Sequence, residues 1–301
     1  MATTIYSQIS SNKIKTWIIM ILFVLFFFMA SYILGRALGY GLSFAGIMLI
    51  ISGLISFMSY YNSDKIVLSM SGAKPADKKN FRELYTTVEN LSIASGLPMP
   101  RVYVIDDSSP NAFATGRNPK HAAIAATTGL LKKLKDAELE GVIAHELSHV
   151  KNYDTRLMGV VAILVGSIAI LADVFMRSLW LGGRNRDNRS GGQIFLIIGI
   201  IAAIVAPIAA ILIQLAVSRR REYLADADGA LLTRYPDGLA DALGKIAADR
   251  TPLKHAHTGT AHLYIESPYK SDTKVAHGNW FVNLFSTHPP VDDRIRILRA
   301  M

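Results

Sequence analysis

Two uncharged apolar runs stand almost back to back near the start of the chain, TWIIMILFVLFFFMASYILG at 16–35 and GYGLSFAGIMLIISGLISFMSYY at 39–61. Each reaches the ~20 residues that carry a helix across a bilayer core, where backbone polar groups must be satisfied within the segment. Only Arg36 and glycine-rich sequence separate them, so they predict a tight transmembrane hairpin over 1–61. The first run is longer than the apolar stretch of a cleavable signal peptide, and no small-x-small site precedes the second. Two more apolar runs follow at 157–181 and 194–217. The former holds Asp173 and Arg177, placed at i and i+4 to partner across one helical turn. The latter is interrupted by Gln214 and carries Pro207, a possible kink. A polar, glycine-rich link, 182–193, joins them. About four spans are expected, the third being the least apolar.

Composition agrees with a membrane protein: 51% of the 301 residues are hydrophobic, high for a soluble chain. The formal charge of +9 sits mainly at span ends. No nucleic-acid motif accompanies it, so no nucleic-acid partner is expected. Lys13, Lys15, Arg156 and Arg219 to Arg221 favour a cytoplasmic N-terminus, although Arg184, Arg186 and Arg189 in the link run against that bias. Cysteine is absent. Disulfides, thiolate ligands and a cysteine nucleophile are thereby excluded, and any metal must be held by imidazole and carboxylate.

The two remaining blocks, 62–156 and 218–301, are separated by an even number of spans and therefore lie on one side of the membrane. In the first, 78–97 has helical periodicity, RVYVI at 101–105 reads as a strand, and 111–116 and 122–127 read as two short strands joined by a turn at Arg117, Asn118 and Pro119. A helix follows over 137–153, with Asp136 placed to cap it. In the second block, helices are expected directly after the fourth span, after Pro236, and from Val291. Residues 251–280 read as a long polar loop. The fold class is mainly α with a small β-sheet, an α+β arrangement built on about four transmembrane helices.

The chemistry concentrates at His145-Glu146-Leu147-Ser148-His149, an HExxH pattern. Residues four apart share a helical face, so both imidazoles reach one ion, and Glu146 lies about 100° round, beside the ion's open side. Neutral imidazole and carboxylate suit one zinc ion, and three protein ligands leave a position for water whose pKa falls toward ~7. Glu146 would take the proton. The metzincin pattern needs a third histidine six positions on, where this chain has Thr155. The third ligand is expected instead from Glu222, with Asp226 one turn later fixing the tautomer of a ligand histidine. Asp154 is the competing candidate.

These segments resemble the HtpX group of membrane metallopeptidases, which belongs with the CAAX prenyl endopeptidases in one larger family. The likeness is carried by NAFATG at 111–116, TTGLL at 127–131, HELSHVKNYD at 145–154, RREYLADADGA at 220–230, FSTHPP at 285–290 and Arg294. The resemblance implies a gluzincin-type catalytic domain and a zinc endopeptidase of the plasma (inner) membrane with its catalytic blocks in the cytoplasm. Its substrates would be misfolded or damaged membrane proteins and other unfolded polypeptides. It further implies that His288 stabilises the oxyanion, and that Asn111 and the strand Ala122, Ala123, Ile124, Ala125, Ala126 and Thr127 bind extended substrate. A prenyl-protein processing enzyme is the alternative within the same chemistry, and a scaffold with a retained metal site is the alternative outside it. Four spans argue against the former and the intact Glu146 against the latter. His255, His257 and His262 read as part of the polar loop rather than a second metal site.

Overall fold

The computed structural model describes residues 5–37, 42–167, 219–254, 260–266 and 289–301. The fourth apolar run, the link 182–193, most of the third run, His255, His257, His277 and His288 lie outside them. The first two helices are α1 (Ile5–Ala37) and α2 (Leu42–Met70). Their stretches Ile9–Met29 and Ala45–Met70 are long and apolar enough to cross a membrane, yet only 28% and 22% of the apolar windows are buried within the protein. Ile18, Ile21, Leu22 and Leu25 on α1 and Ile47, Ile50, Leu54 and Phe57 on α2 all face outward. A core helix of a soluble protein would bury such side chains, whereas a lipid-facing pair leaves them open. These are the two candidate spans among the described residues. The hairpin boundary expected after 61 falls on a kink at Asn62 (φ −119°, ψ 16°), beyond which α2 continues to Met70.

A four-stranded sheet follows. Its strands are β1 (Lys74–Pro75), β2 (Arg101–Ile105), β3 (Ala112–Thr115) and β4 (Ala123–Thr127), in the order β1-β2-β4-β3. β4 pairs parallel with β2 and antiparallel with β3. Alternation along each strand divides the core in two. Val102, Val104, Ala112, Ala114, Ile124 and Ala126 pack toward the catalytic helices. Ile105, Phe113, Ala123 and Ala125 pack toward α1, α2 and a helix over 154–167. The sheet is thus buried on both faces between a membrane-side layer and a catalytic layer.

The catalytic layer comprises α3 (Arg82–Ser95), α4 (Thr128–Lys133), α5 (Asp136–Lys151), α7 (Arg219–Thr233), α8 (Pro236–Ala248) and α9 (Val291–Leu298), while α6 (154–167) packs with α1 and α2 on the other face. Thr127 ends β4 and caps α4, its Oγ1 accepting from Leu130 N at 3.1 Å. α5 starts at Asp136 rather than after it. The capping contact comes from Glu138, whose carboxylate accepts from Lys135 N at 2.8 Å. Pro236 opens α8, where a missing N–H removes nothing. Part of the stretch expected to be a polar loop is core: Ala261, His262, Leu263, Tyr264 and Ile265 are buried, and His262 Nε2 faces Met158 C=O at 3.2 Å.

Candidate active site

α5 is buried along 141–150, including His145, Glu146 and His149. Apolar Val142, Ile143, Leu147 and Val150 hold it in the catalytic core. α7 crosses it closely. A Cβ at Gly229 would lie 3.1 Å from His145 N, so the glycine sets how near the two helices come. That approach carries Glu222 and Asp226 to the HExxH face.

Three ligand atoms converge there. His145 Nε2 and His149 Nε2 are 3.2 Å apart, and Glu222 oxygens lie 3.8 Å and 3.6 Å from them. Tetrahedral zinc ligands with bonds of about 2.0–2.1 Å sit about 3.3 Å from one another, so the set fits such an ion with little adjustment. Among the described residues, this is the cluster able to hold a metal ion.

The outer nitrogen of each histidine meets a carboxylate. His145 Nδ1 lies 2.9 Å from Asp226 Oδ1, off the ideal N–H line, and His149 Nδ1 lies 3.0 Å from Asp154 Oδ2. Such contacts fix the ring orientation and leave Nε2 for the metal. Asp154 thus meets the outer nitrogen of His149 and lies outside the cluster of His145, His149 and Glu222 that could hold an ion. It reaches His149 because Tyr153, in the left-handed region at φ 59°, turns the chain between α5 and α6.

Behind Asp226 stands Arg294, fully buried. Its Nε and Nη2 donate to the two Asp226 oxygens at 2.8 Å and 2.7 Å, and Nη1 lies 3.7 Å from Glu222 Oε2. Burial alone would push Asp226 up, but the guanidinium outweighs it and holds the carboxyl below its ordinary range. Behind Asp154 stand Asn12 of α1, whose Nδ2 donates at 2.7 Å, and Arg221, whose Nη1 lies 3.6 Å away. Arg221, one of three consecutive arginines at a span end in the sequence, is thus buried at the site, while Arg219 and Arg220 are exposed.

Glu146 is 2% exposed. Burial raises its pKa, with the Glu222 charge adding to that, while His145, His149 and a hydrogen bond from Ala114 N–H pull the other way. The Ala114 contact places β3 against the site. Its register with β4 leaves the Ala112 and Ala114 backbone groups on the outer edge. The strand 122–127 assigned to substrate in the sequence has no such edge, because β4 is hydrogen-bonded to β2 on one side and β3 on the other. Asn111, which leads into β3, does stand at that outer edge.

A model of peptidase family M48 matches residues 78–301. The chain belongs to peptidase family M48. A "Protease HtpX homolog" of Dictyoglomus thermophilum is 47% identical over 301 residues, spanning 99% of this chain and 95% of the relative. Another, of Tropheryma whipplei, is 46% identical over 296 residues, spanning 98% of each chain. Among solved structures, S. mikatae Ste24p matches with a TM-score of 0.48 at 18% identity, over 91% of this chain and 62% of that one. This M48 chain is a membrane metalloprotease, with a His-His-Glu cluster able to take a metal ion.

The M48 site contains two groups, Asn12 and Arg294, whose roles the sequence did not reveal. Asn12 and Asp154 are 142 positions apart and Arg294 and Asp226 are 68 apart, so no local spacing marks either pair. Arg294 was marked only through the family resemblance, and Asn12 lies in the mostly polar stretch SQISSNK at 7–13, which does not single it out.

Proposed function

We propose that this M48 chain is a zinc-dependent endopeptidase that cuts unfolded or misassembled membrane proteins at the cytoplasmic surface of the bacterial inner membrane. The observation that carries the reading is the placement of Glu146 beside three converging ligand atoms and under the outer edge of β3. His145, His149 and Glu222 would hold the ion, which when bound polarises the scissile carbonyl and lowers the pKa of water. Glu146, buried and with a raised pKa, accepts a proton from the attacking water and returns it to the leaving amine nitrogen. Arg294 keeps Asp226 ionised, and Asp226 and Asp154 keep the two rings turned toward the ion. His288 is proposed to stabilise the oxyanion. Extended substrate is proposed to add to the β3 edge through Ala112 backbone and the Asn111 side chain, since a polypeptide without a fold can offer a free strand. Charge bias at the span ends supports the cytoplasmic placement.

The test is metal analysis and casein cleavage with Glu146→Gln. The variant should keep wild-type zinc content and lose about 10²–10⁴-fold in turnover, the range for a general base. Near-normal cleavage sinks the assignment.

A further inference from the structure

Residues 264–266 lie along the outer edge of β3. Ile265 N–H donates to Ala112 C=O at 3.0 Å, and Asn111 Nδ2 donates to Glu266 C=O at 2.9 Å. Glu266 N–H in turn points at Asn111 Oδ1 from 3.4 Å. Ile265 thus stands opposite Ala112 and Glu266 opposite Asn111, so the segment runs antiparallel to β3 as an added strand would. Arg294 closes the other side: the Nη1 that lies 3.7 Å from Glu222 Oε2 also donates to Ile265 C=O at 3.4 Å. One guanidinium therefore touches both a metal-ligand carboxylate and the backbone of this segment. The side chains are seated as well. Ile265 is 2% exposed within the catalytic core, and the Tyr264 ring meets Phe113 edge-on with centroids 5.1 Å apart.

The backbone groups assigned to substrate are the ones already engaged here. Ala112 C=O cannot accept from Ile265 and from an incoming strand in the same alignment. We propose that residues 264–266 are a resident occupant of the strand-binding groove, and that an extended polypeptide enters by displacing them. The proposal rests on the β3 edge being the substrate edge. Displacement makes substrate binding and segment release one equilibrium. The apparent KM is then the intrinsic value divided by the fraction of protein in which the groove is empty, while kcat is untouched once substrate is bound. A folded protein, with no free strand to trade, leaves the segment in place.

The experiment uses full-length, zinc-loaded protein in lipid nanodiscs with unstructured casein as substrate. Ile265→Pro removes the N–H that bonds Ala112. The backbone of Tyr264 (φ −74°, ψ 147°) already suits a residue preceding proline, so strain there is avoided. Ile265→Asp places a charge in the apolar seat. Both should lower KM, by about 2–10-fold for loss of one hydrogen bond and more for the charge, with kcat within about twofold. An unchanged or higher KM in both variants, at wild-type zinc content, overturns the proposal. A second measurement needs no change at 265. In Glu146→Gln protein, hydrogen exchange at the Ile265 amide should be slow alone and fast under saturating casein. Protection that persists with casein bound overturns the proposal even if the Ile265 variants misfold. Lack of casein cleavage by the wild type speaks against the catalytic reading alone, because the exchange measurement reports displacement without turnover.

Discussion

Asn12, near the start of the first membrane helix, donates through Nδ2 both to Asp154 Oδ1 at 2.7 Å and to Asn152 C=O at 2.9 Å. Asp154 in turn holds His149 Nδ1 at 3.0 Å. A residue of α1 thus reaches His149, a member of the cluster able to hold a metal ion, through one intermediary.

Asp154→Ala should weaken zinc binding about 10–100-fold by freeing the His149 ring, as loss of a ligand's partner typically does. Asn12→Ala should act in the same direction and less strongly. Glu222→Ala should abolish stoichiometric zinc binding. Competition against a chromogenic chelator measures all three, with circular dichroism to verify the fold. Wild-type affinity in Asn12→Ala would show that α1 does not tune the site.

Arg294→Met should leave Asp226 buried without its partner. Breaking a buried pair this way costs about 3–5 kcal/mol, and zinc affinity should fall with it. Arg294→Lys should not restore either, because an ammonium cannot span both carboxylate oxygens. Adding Asp226→Asn to Arg294→Met should recover much of the stability, but not the affinity. Chemical denaturation of the metal-free forms reads the first, and chelator competition the second.

Burial disfavours a charge on His149, but the hydrogen bond from Asp154 and the charges of Glu222, Asp154 and Glu146 outweigh it and raise the pKa from 6.5 to about 9. The metal-free ring is therefore protonated at neutral pH, and an incoming ion must expel that proton. Zinc affinity should rise by about tenfold per pH unit up to the raised pKa and then flatten. Calorimetry in buffers of different ionisation enthalpy should register the released proton. The sign for stability is opposite. The folded pKa lies above the unfolded one, so this group's contribution is full below pH 6.5 and is lost as pH rises through about 9. A metal-free protein that melts higher across that window would contradict the assignment.

Single cysteines are clean reporters of orientation in a chain that has none. Lys78 and Asp292 are both exposed and belong to the two catalytic blocks. Cysteines replacing them should react with an impermeant maleimide only from the cytoplasmic face, and one replacing Asn188 only from the opposite face. Labelling of Lys78→Cys and Asp292→Cys from different faces would break the shared-side argument.

The sequence disclosed what is local. HExxH puts two imidazoles on one helical face whatever surrounds them, and Glu222 with Asp226 repeats that spacing, so the convergence of His145, His149 and Glu222 into a cluster able to hold an ion was legible. The elements RVYVI, NAFATG and the α5 helix were legible from period and turn residues. Strand neighbours were not. The small, uniformly buried run at 122–127 has no polar face to say which strand flanks it, and it proved to be interior, with β3 at the edge. Arg221 looked like one of three basic residues at a span end. Its burial comes from Asp154 and Asn12, which are close only in space. Tyr264 and Ile265 sit in a stretch without period, so their place in the core was invisible until Ala112 and Phe113 were beside them.

An open strand edge is a template for pairing with any other chain, which is why native sheets keep theirs short, charged or covered. A site built to receive unfolded polypeptide has to keep such a template within reach of substrate, on a surface shared with aggregation-prone chains. Here the four residues of β3 carry that hazard, and Ile265 and Glu266 lie across its outer edge beside Asn111. While that contact holds, Ala112 C=O is already paired within its own chain and offers a second copy's sheet no acceptor in that alignment.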